Sequence, residues 1–436
     1  MRKVEGNSAY IILGGGLSGL SYAYGQIRKG GRSAIVIEKE NTIGGLMKTL
    51  RLNSFLFDLG PHIFRSKDER IMLFVKSLLD NNYFNVSSNP SIFKYGKFFD
   101  NVIPVLTFRN IENLPGEIRD KAKRELQSYQ TSTKNISCET NFEECIRSQI
   151  GETLYWEFFG EYTKKFWGID PKKLSADLAP KKLVIGSEKS YAHLTTGFEK
   201  PTEEIYPTTG GIYRIIQELE KKIRVAQGVI ITGAKVKKLE VEGDKIVNVV
   251  FEKDQEEVEI PTHDKQVIST IPLTEVAKML GITTNLKYRG EIFIFIKLKG
   301  EKMFDFSWIY FHDSSVIFSR IYEPIYYSVY NAPKGYTSLS IEVPSSVNEV
   351  YWNDKNLADK VIEQLLDLRI IRKEQEPSVL AVEKNAYAYP IYTFDYKTQL
   401  ERIFDELKYI KNLEVIGRTG SFKYLNMWEC LKWAVY

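Results

Sequence analysis

Residues 11 to 20 read IILGGGLSGL, and Gly14, Gly16 and Gly19 stand in the spacing G-x-G-x-x-G. The spacing alone is common, so its flanks decide what it means. Tyr10 to Leu13 is a short apolar run suited to a buried strand, and Leu20 to Arg28 continues as a helix before the Gly30-Gly31 break. SAIVIEKE follows. Ala34 to Ile37 reads as a second buried strand, and Glu38 comes about 20 residues after Gly19, where a dinucleotide fold carries its ribose-binding acid. Each residue type has a physical task. Gly14 permits the tight turn, Gly16 lets the backbone approach a pyrophosphate, and Gly19 allows close helix–strand packing. The helix start offers unpaired N–H groups to phosphates. A Glu38 carboxylate accepts hydrogen bonds from ribose hydroxyls and disfavours a 2′-phosphorylated cofactor. Strand, glycines, helix, strand and acid in this order leave a ligand-free turn as the weaker alternative.

Composition bounds the rest. A chain of 436 residues, 43% hydrophobic and 27% charged, has the makeup of two or three globular domains. Its net charge of +4 is mild and its basic residues are interspersed with acidic ones, so nucleic acid is not an expected partner. Cys138, Cys145 and Cys430 have no metal spacing, and their odd number gives no disulfide framework; Cys145 is expected in the core. A reducing cytoplasm fits this usage. Glu5 and the glycines from Gly14 onward break any resemblance to a signal peptide. No apolar run approaches the roughly 18 residues of a membrane span, which leaves peripheral membrane contact open. His193, His263 and His312 lack companion ligands, so no metal is expected.

Beyond Glu38 lie a second glycine pair, Gly44-Gly45, and the segment Asp58-Leu59-Gly60-Pro61-His62-Ile63-Phe64. Further on come Phe166-Trp167-Gly168-Ile169-Asp170-Pro171 with Leu174-Ser175-Ala176, then Tyr206-Pro207-Thr208-Thr209-Gly210-Gly211, Ser269-Thr270-Ile271-Pro272 and Ser307-Trp308-Ile309-Tyr310-Phe311. Ile317-Phe318-Ser319-Arg320, Tyr389-Pro390-Ile391-Tyr392 and Gly417-Arg418-Thr419-Gly420 with Tyr424 complete the series. In this order the sequence resembles the FAD-dependent amine oxidase and protoporphyrinogen oxidase superfamily, in the branch near UDP-galactopyranose mutase. The resemblance implies non-covalent FAD. It places Gly14, Gly16, Leu17, Ser18, Gly19, Glu38, Lys39, Gly44, Gly45 and Leu46 along the dinucleotide, with Val236 contacting adenine. Gly60, Pro61, His62 and Ile63 lie by the flavin ring, and Gly417, Arg418, Asn426 and Met427 at its far side. Three positions depart from the family pattern. Thr42 stands where an arginine is usual, Trp428 replaces an acid, and Ile205 stands where eukaryotic-type mutases carry a phosphate-binding arginine.

The expected architecture is α/β, a Rossmann-like FAD-binding domain with an inserted mixed α+β substrate domain. Residues 1–75, 205–275 and 385–436 are assigned to the first, and 76–204 and 276–384 to the second. Helical spacing is read at Glu69 to Asp80, Leu114 to Tyr129, Phe142 to Ile150 and Ile212 to Lys222. Alternating strands flank the turn Glu242-Gly243-Asp244, strand patterns dominate Tyr288 to Pro344, and the last helix has room for about two turns.

For chemistry, flavin carries the difficult step and the protein supplies orientation and electrostatics. His62 is read as tuning the flavin or handling a proton, or else as a histidine bonded to a carbonyl. Arg320, Tyr389, Arg418 and Tyr424 match substrate- or flavin-contacting positions of the mutases, and a guanidinium fork suits phosphate. Arg320 has the alternative of pairing with Glu323 or Glu342. Three functions stay open: an oxidoreductase passing a hydride from a small organic substrate to flavin N5, a non-redox nucleotide-sugar mutase, and a flavin-binding protein without turnover. The first is favoured, as the broader class.

Overall fold

The computed structural model describes residues 2–3, 9–30, 33–101, 105–130, 140–180, 184–186 and 203–436. Cys138 and His193 lie outside them. Of the elements that position the site, strand β1 (Tyr10–Leu13), helix α1 (Leu17–Arg28) and strand β2 (Ala34–Ile37) come first along the chain, and strands β3 (Ser91–Lys94) and β4 (Lys97–Asp100) and helices α2 (Phe142–Ile150) and α3 (Glu161–Trp167) come later. Helix α4 (Tyr213–Val225) leads into β5 (Val229–Ile231), the meander β6 (Ala234–Glu242), β7 (Lys245–Lys253) and β8 (Glu256–Pro261), and β9 (Gln266–Ser269). The remaining strands are β10 (Tyr288–Lys299), β11 (Ile309–Phe311), β12 (Arg320–Tyr322), β13 (Tyr336–Pro344), β14 (Ser378–Pro390) and β15 (Leu413–Val415).

Two sheets organise the site. The first is parallel throughout, in the order β5-β2-β1-β9-β15. Its apolar four-residue strands are buried on both faces, as parallel sheets covered by helices require. The second has seven strands, β14-β10-β13-β12-β11-β3-β4, antiparallel except where β11 meets β3. The strand-rich stretch expected from Tyr288 to Pro344 supplies four of them.

Helix α1 begins at Leu17, three residues before the periodic apolar positions start, because the glycine turn feeds it directly from β1. Its other side is occupied by the end of the chain. A Cβ on Gly25 would stand 1.8 Å from the Trp433 carbonyl oxygen, Ala434 N–H donates to Ser21 Oγ at 3.0 Å, and Arg28 Nη2 donates to Val435 O. The C-terminal helix is two four-residue pieces, Met427–Cys430 and Lys432–Val435.

One expectation is corrected. Cys145 is buried on α2, as expected, but it is disulfide-bonded. An odd cysteine count excludes only complete pairing, not one bond. Cys430 is a free, buried thiol.

Candidate functional site

At the end of β1 the chain turns at Gly14, whose φ of +103° few side chains adopt and whose N–H donates to Ile37 O at 2.8 Å. A Cβ there would strike Thr270 Oγ1, and one on Gly19 would stand 2.1 Å from Gly14 O, so both glycines are required by packing. Gly16 is different. Its φ of −75° and ψ of 178° suit any residue, and a Cβ there would meet no atom within 4 Å. Neither conformation nor packing asks for glycine, so the open face above it is what the residue preserves. It is the N-cap of α1, whose first turn (Leu17, Ser18, Gly19) receives no side-chain cap and leaves N–H groups toward that face.

The two arms of the turn close on one another. Glu38, buried at the end of β2, accepts from Gly15 N–H at 2.7 Å and from Glu40 N–H at 2.9 Å, and Ala234 N–H donates to its carbonyl. Val236 is buried two residues further along β6. Gly44, at φ +113° beneath the Tyr213 ring, bridges to Gly16; Gly45 and half-buried Leu46 open the next turn. Lys39 is exposed beside Glu40. Glycines, helix start and acid thus fit a dinucleotide: an open anion-binding face next to a buried carboxylate.

The second half of the site is the loop from Asp58 to Ile63. Asp58 is held by Thr49 Oγ1, by Tyr206 OH at 2.7 Å and by Ile212 N–H at 3.1 Å, while Tyr322 OH donates to its carbonyl. Burial raises its carboxyl from 3.8 to about 6, those three bonds acting in the opposite sense. The loop then folds tightly, with Gly60 at φ +102° and His62 N–H donating to Gly60 O across Pro61; Ile63 enters the core. His62 Nδ1 is buried and has no hydrogen-bond partner among the described residues. Burial, with Arg320 and Arg418 adding to it, lowers the imidazole to about 3, so it is neutral at physiological pH.

Arg320 grips Glu342 with Nε at 3.0 Å and Nη2 at 2.6 Å, across adjacent strands β12 and β13. Of the two alternatives read from the sequence for a pairing partner, Glu342 is the one present. Arg418 lies against the rings of Tyr389 (4.7 Å) and Tyr424 (4.4 Å), with Nε and Nη2 buried and, among the described residues, unbonded. Those two rings stack on each other at 5.7 Å, Tyr424 half exposed. Asn426 and Met427 begin the short C-terminal helix, where Asn426 forms a capping box with Glu429.

The structure brings His62, Arg320, Arg418, Tyr389 and Tyr424 to one wall, joins to it Phe166, Trp308, Tyr310 and His312, named in the sequence reading without a site role, and adds Tyr162 and Glu291, which it does not name. Tyr162, on α3, packs against His312 (4.6 Å), Tyr310 and Phe166, and Phe166 packs against Tyr389. Glu291, on β10, is 1% exposed, and neither carboxyl oxygen has a hydrogen-bond partner among the described residues. Burial and then the Glu342 charge push its carboxyl well above the usual range. Its one visible signal was an acid directly before the apolar run Ile292 to Ile296. Trp308 Nε1 is likewise buried and unbonded.

Comparisons with known proteins bear on family and fold. The model of a family described as flavin containing amine oxidoreductase matches residues 17–290. Protoporphyrinogen oxidase 1 of Arabidopsis thaliana chloroplasts is 26% identical over 178 residues, 39% of this chain and 32% of that protein. A Klebsiella pneumoniae protein carrying the name of a UDP-galactopyranose mutase is 25% identical over 179 residues, 39% of this chain and 44% of that protein. The chain therefore spans less than half the length of these curated relatives. A crystal structure of reduced UDP-galactopyranose mutase matches with a TM-score of 0.81, covering 98% of this chain and 92% of that one at 21% identity, a likeness of fold.

Proposed function

Because the chain belongs to the flavin containing amine oxidoreductase family and is thereby a flavin-dependent enzyme, we propose that it is an oxidoreductase that holds FAD non-covalently and removes a hydride from a small organic substrate. The observation that carries this reading is the charge balance of the wall beside His62. Arg320 is tied through two nitrogens to Glu342, and Glu291 adds a second buried carboxyl among aromatic rings. A nucleotide diphosphate asks for free cations; this wall offers mostly rings and committed charges.

In this reading Gly14, Gly16, Gly19 and the start of α1 receive the pyrophosphate and Glu38 the ribose. The loop from Gly60 to Ile63 lies along the ring. A bound flavin supplies the hydride acceptor. His62, neutral because its imidazole is lowered to about 3, offers a hydrogen bond rather than a positive charge or a base. Tyr162, Tyr310 and Tyr389 exclude water and orient the substrate. The strands of the parallel sheet support assigning 1–75, 205–275 and the C-terminal segment to the cofactor unit. Because β14 runs unbroken to Pro390, we place the last boundary after that residue instead of at 384.

The test is anaerobic mixing of the FAD-loaded protein with amines, porphyrinogens and polyenes. Bleaching of the flavin band by a member of the panel supports the reading. One observation favours a second reading, a nucleotide-sugar mutase: the buried, unbonded nitrogens of Arg418 suit an anionic group. Interconversion of UDP-galactopyranose and UDP-galactofuranose by dithionite-reduced protein would establish it and overturn the first.

A further inference from the structure

Helix α3 carries Tyr162 and Phe166 of the wall, and between them Lys165 makes bonds of its own. Lys165 Nζ donates to four backbone carbonyls: Phe311 at 2.6 Å, Asp313 at 2.8 Å, Phe318 at 3.1 Å and Val316 at 3.2 Å. An ammonium has three hydrogens, so four acceptors converging on it leave no direction unsatisfied. All four belong to the hairpin that joins β11 to β12, and its two limbs present Tyr310 and Arg320 to the site. On the other flank of the same helix, Arg289 donates to the carbonyls of Lys165 and Phe166 from β10, two residues before Glu291. One residue is therefore bonded through its side chain to the hairpin and through its backbone to the strand opposite.

We propose that Lys165 is a positioning residue for the substrate side of the site, its ammonium gathering the hairpin carbonyls and so fixing where Tyr310, His312 and Arg320 stand against Tyr162. Without the ammonium, the inward-facing carbonyls lose their donor and turn toward water, which a buried carbonyl does at a cost. The hairpin then swings away from α3. The stacking of His312 on Tyr162 and the approach of Arg320 to His62 change with it.

The test compares Lys165→Met, which keeps the chain length without donors, with Lys165→Arg, which keeps charge and donors, and with Lys164→Met as an exposed control. Amide hydrogen exchange is read on residues 309–322 and on β1, β2 and β9, with or without FAD. The visible envelope of the FAD-loaded proteins is read alongside. In Lys165→Met, exchange over 311–319 should quicken by roughly tenfold or more, as for loss of a charged hydrogen bond. The parallel sheet should be unchanged, the flavin envelope should shift, and Lys165→Arg should restore both readings. Unchanged exchange over 311–319 would overturn the proposal, as would a local rise with an unaltered flavin envelope, which would make Lys165 a structural tether only. If Lys165→Met does not fold, Lys165→Gln, which keeps two N–H donors, is read by the same criteria. The optical arm rests on the flavin reading. A wild-type protein that takes up no FAD would refute that reading, while the exchange arm would still decide for Lys165.

Discussion

Gly16 shows most clearly how one residue separates folding from binding. Its backbone is ordinary and its surroundings among the described residues are open, so Gly16→Val should still fold, losing about 1 kcal/mol as a poor N-cap residue. FAD affinity should fall at least about tenfold, as a branched side chain fills the face that phosphates need. Thermal unfolding and FAD titration of the variant check both halves. Asp58 makes a second prediction. Its carboxyl is raised from 3.8 in the unfolded chain to about 6 in the native one, so the native state holds the proton more tightly. The resulting stability is fully present below about pH 4 and is lost as pH rises through 6, a change of about 3 kcal/mol. Asp58→Asn does not titrate. Urea unfolding at pH 4 and pH 7 should show wild type losing that much relative to the variant; parallel pH profiles would contradict it.

At the scale of elements, β1, α1 and β2 are read from the sequence, but the chain end that packs against α1 is not. Helix propensity favours Gly25→Ala by about 1 kcal/mol. The Trp433 carbonyl lies where the new methyl would go, and overpacking of a fitted contact costs about 1–3 kcal/mol. The variant should therefore melt below wild type, with the chain end released from α1. A raised melting temperature would show that the C-terminal segment does not rest on that glycine. The same contact explains why a helix of only two short pieces is held: it docks along α1 through Ser21, Gly25 and Arg28.

Across the whole molecule, the nucleotide end was legible because its parts are consecutive. Strand, glycine turn, helix, strand and acid fall within residues 10 to 38, and each type states its own task. The aromatic wall beside His62 was legible only in part. Tyr162, Glu291 and Glu342 come from a helix and two strands far apart in sequence, and alternation along a strand gives two faces without saying which one meets the site. Glu342 entered the sequence reading only as a partner for Arg320; Lys165 and Glu291 did not enter at all. The central claim is that the open face at Gly16 and the loop at His62 belong to one dinucleotide, phosphates at one end and flavin ring at the other. Titrating the purified protein with FAD and following the visible absorption tests it most directly: saturation at one equivalent with a resolved, shifted flavin band is predicted, and a spectrum that stays that of free FAD throughout would contradict it.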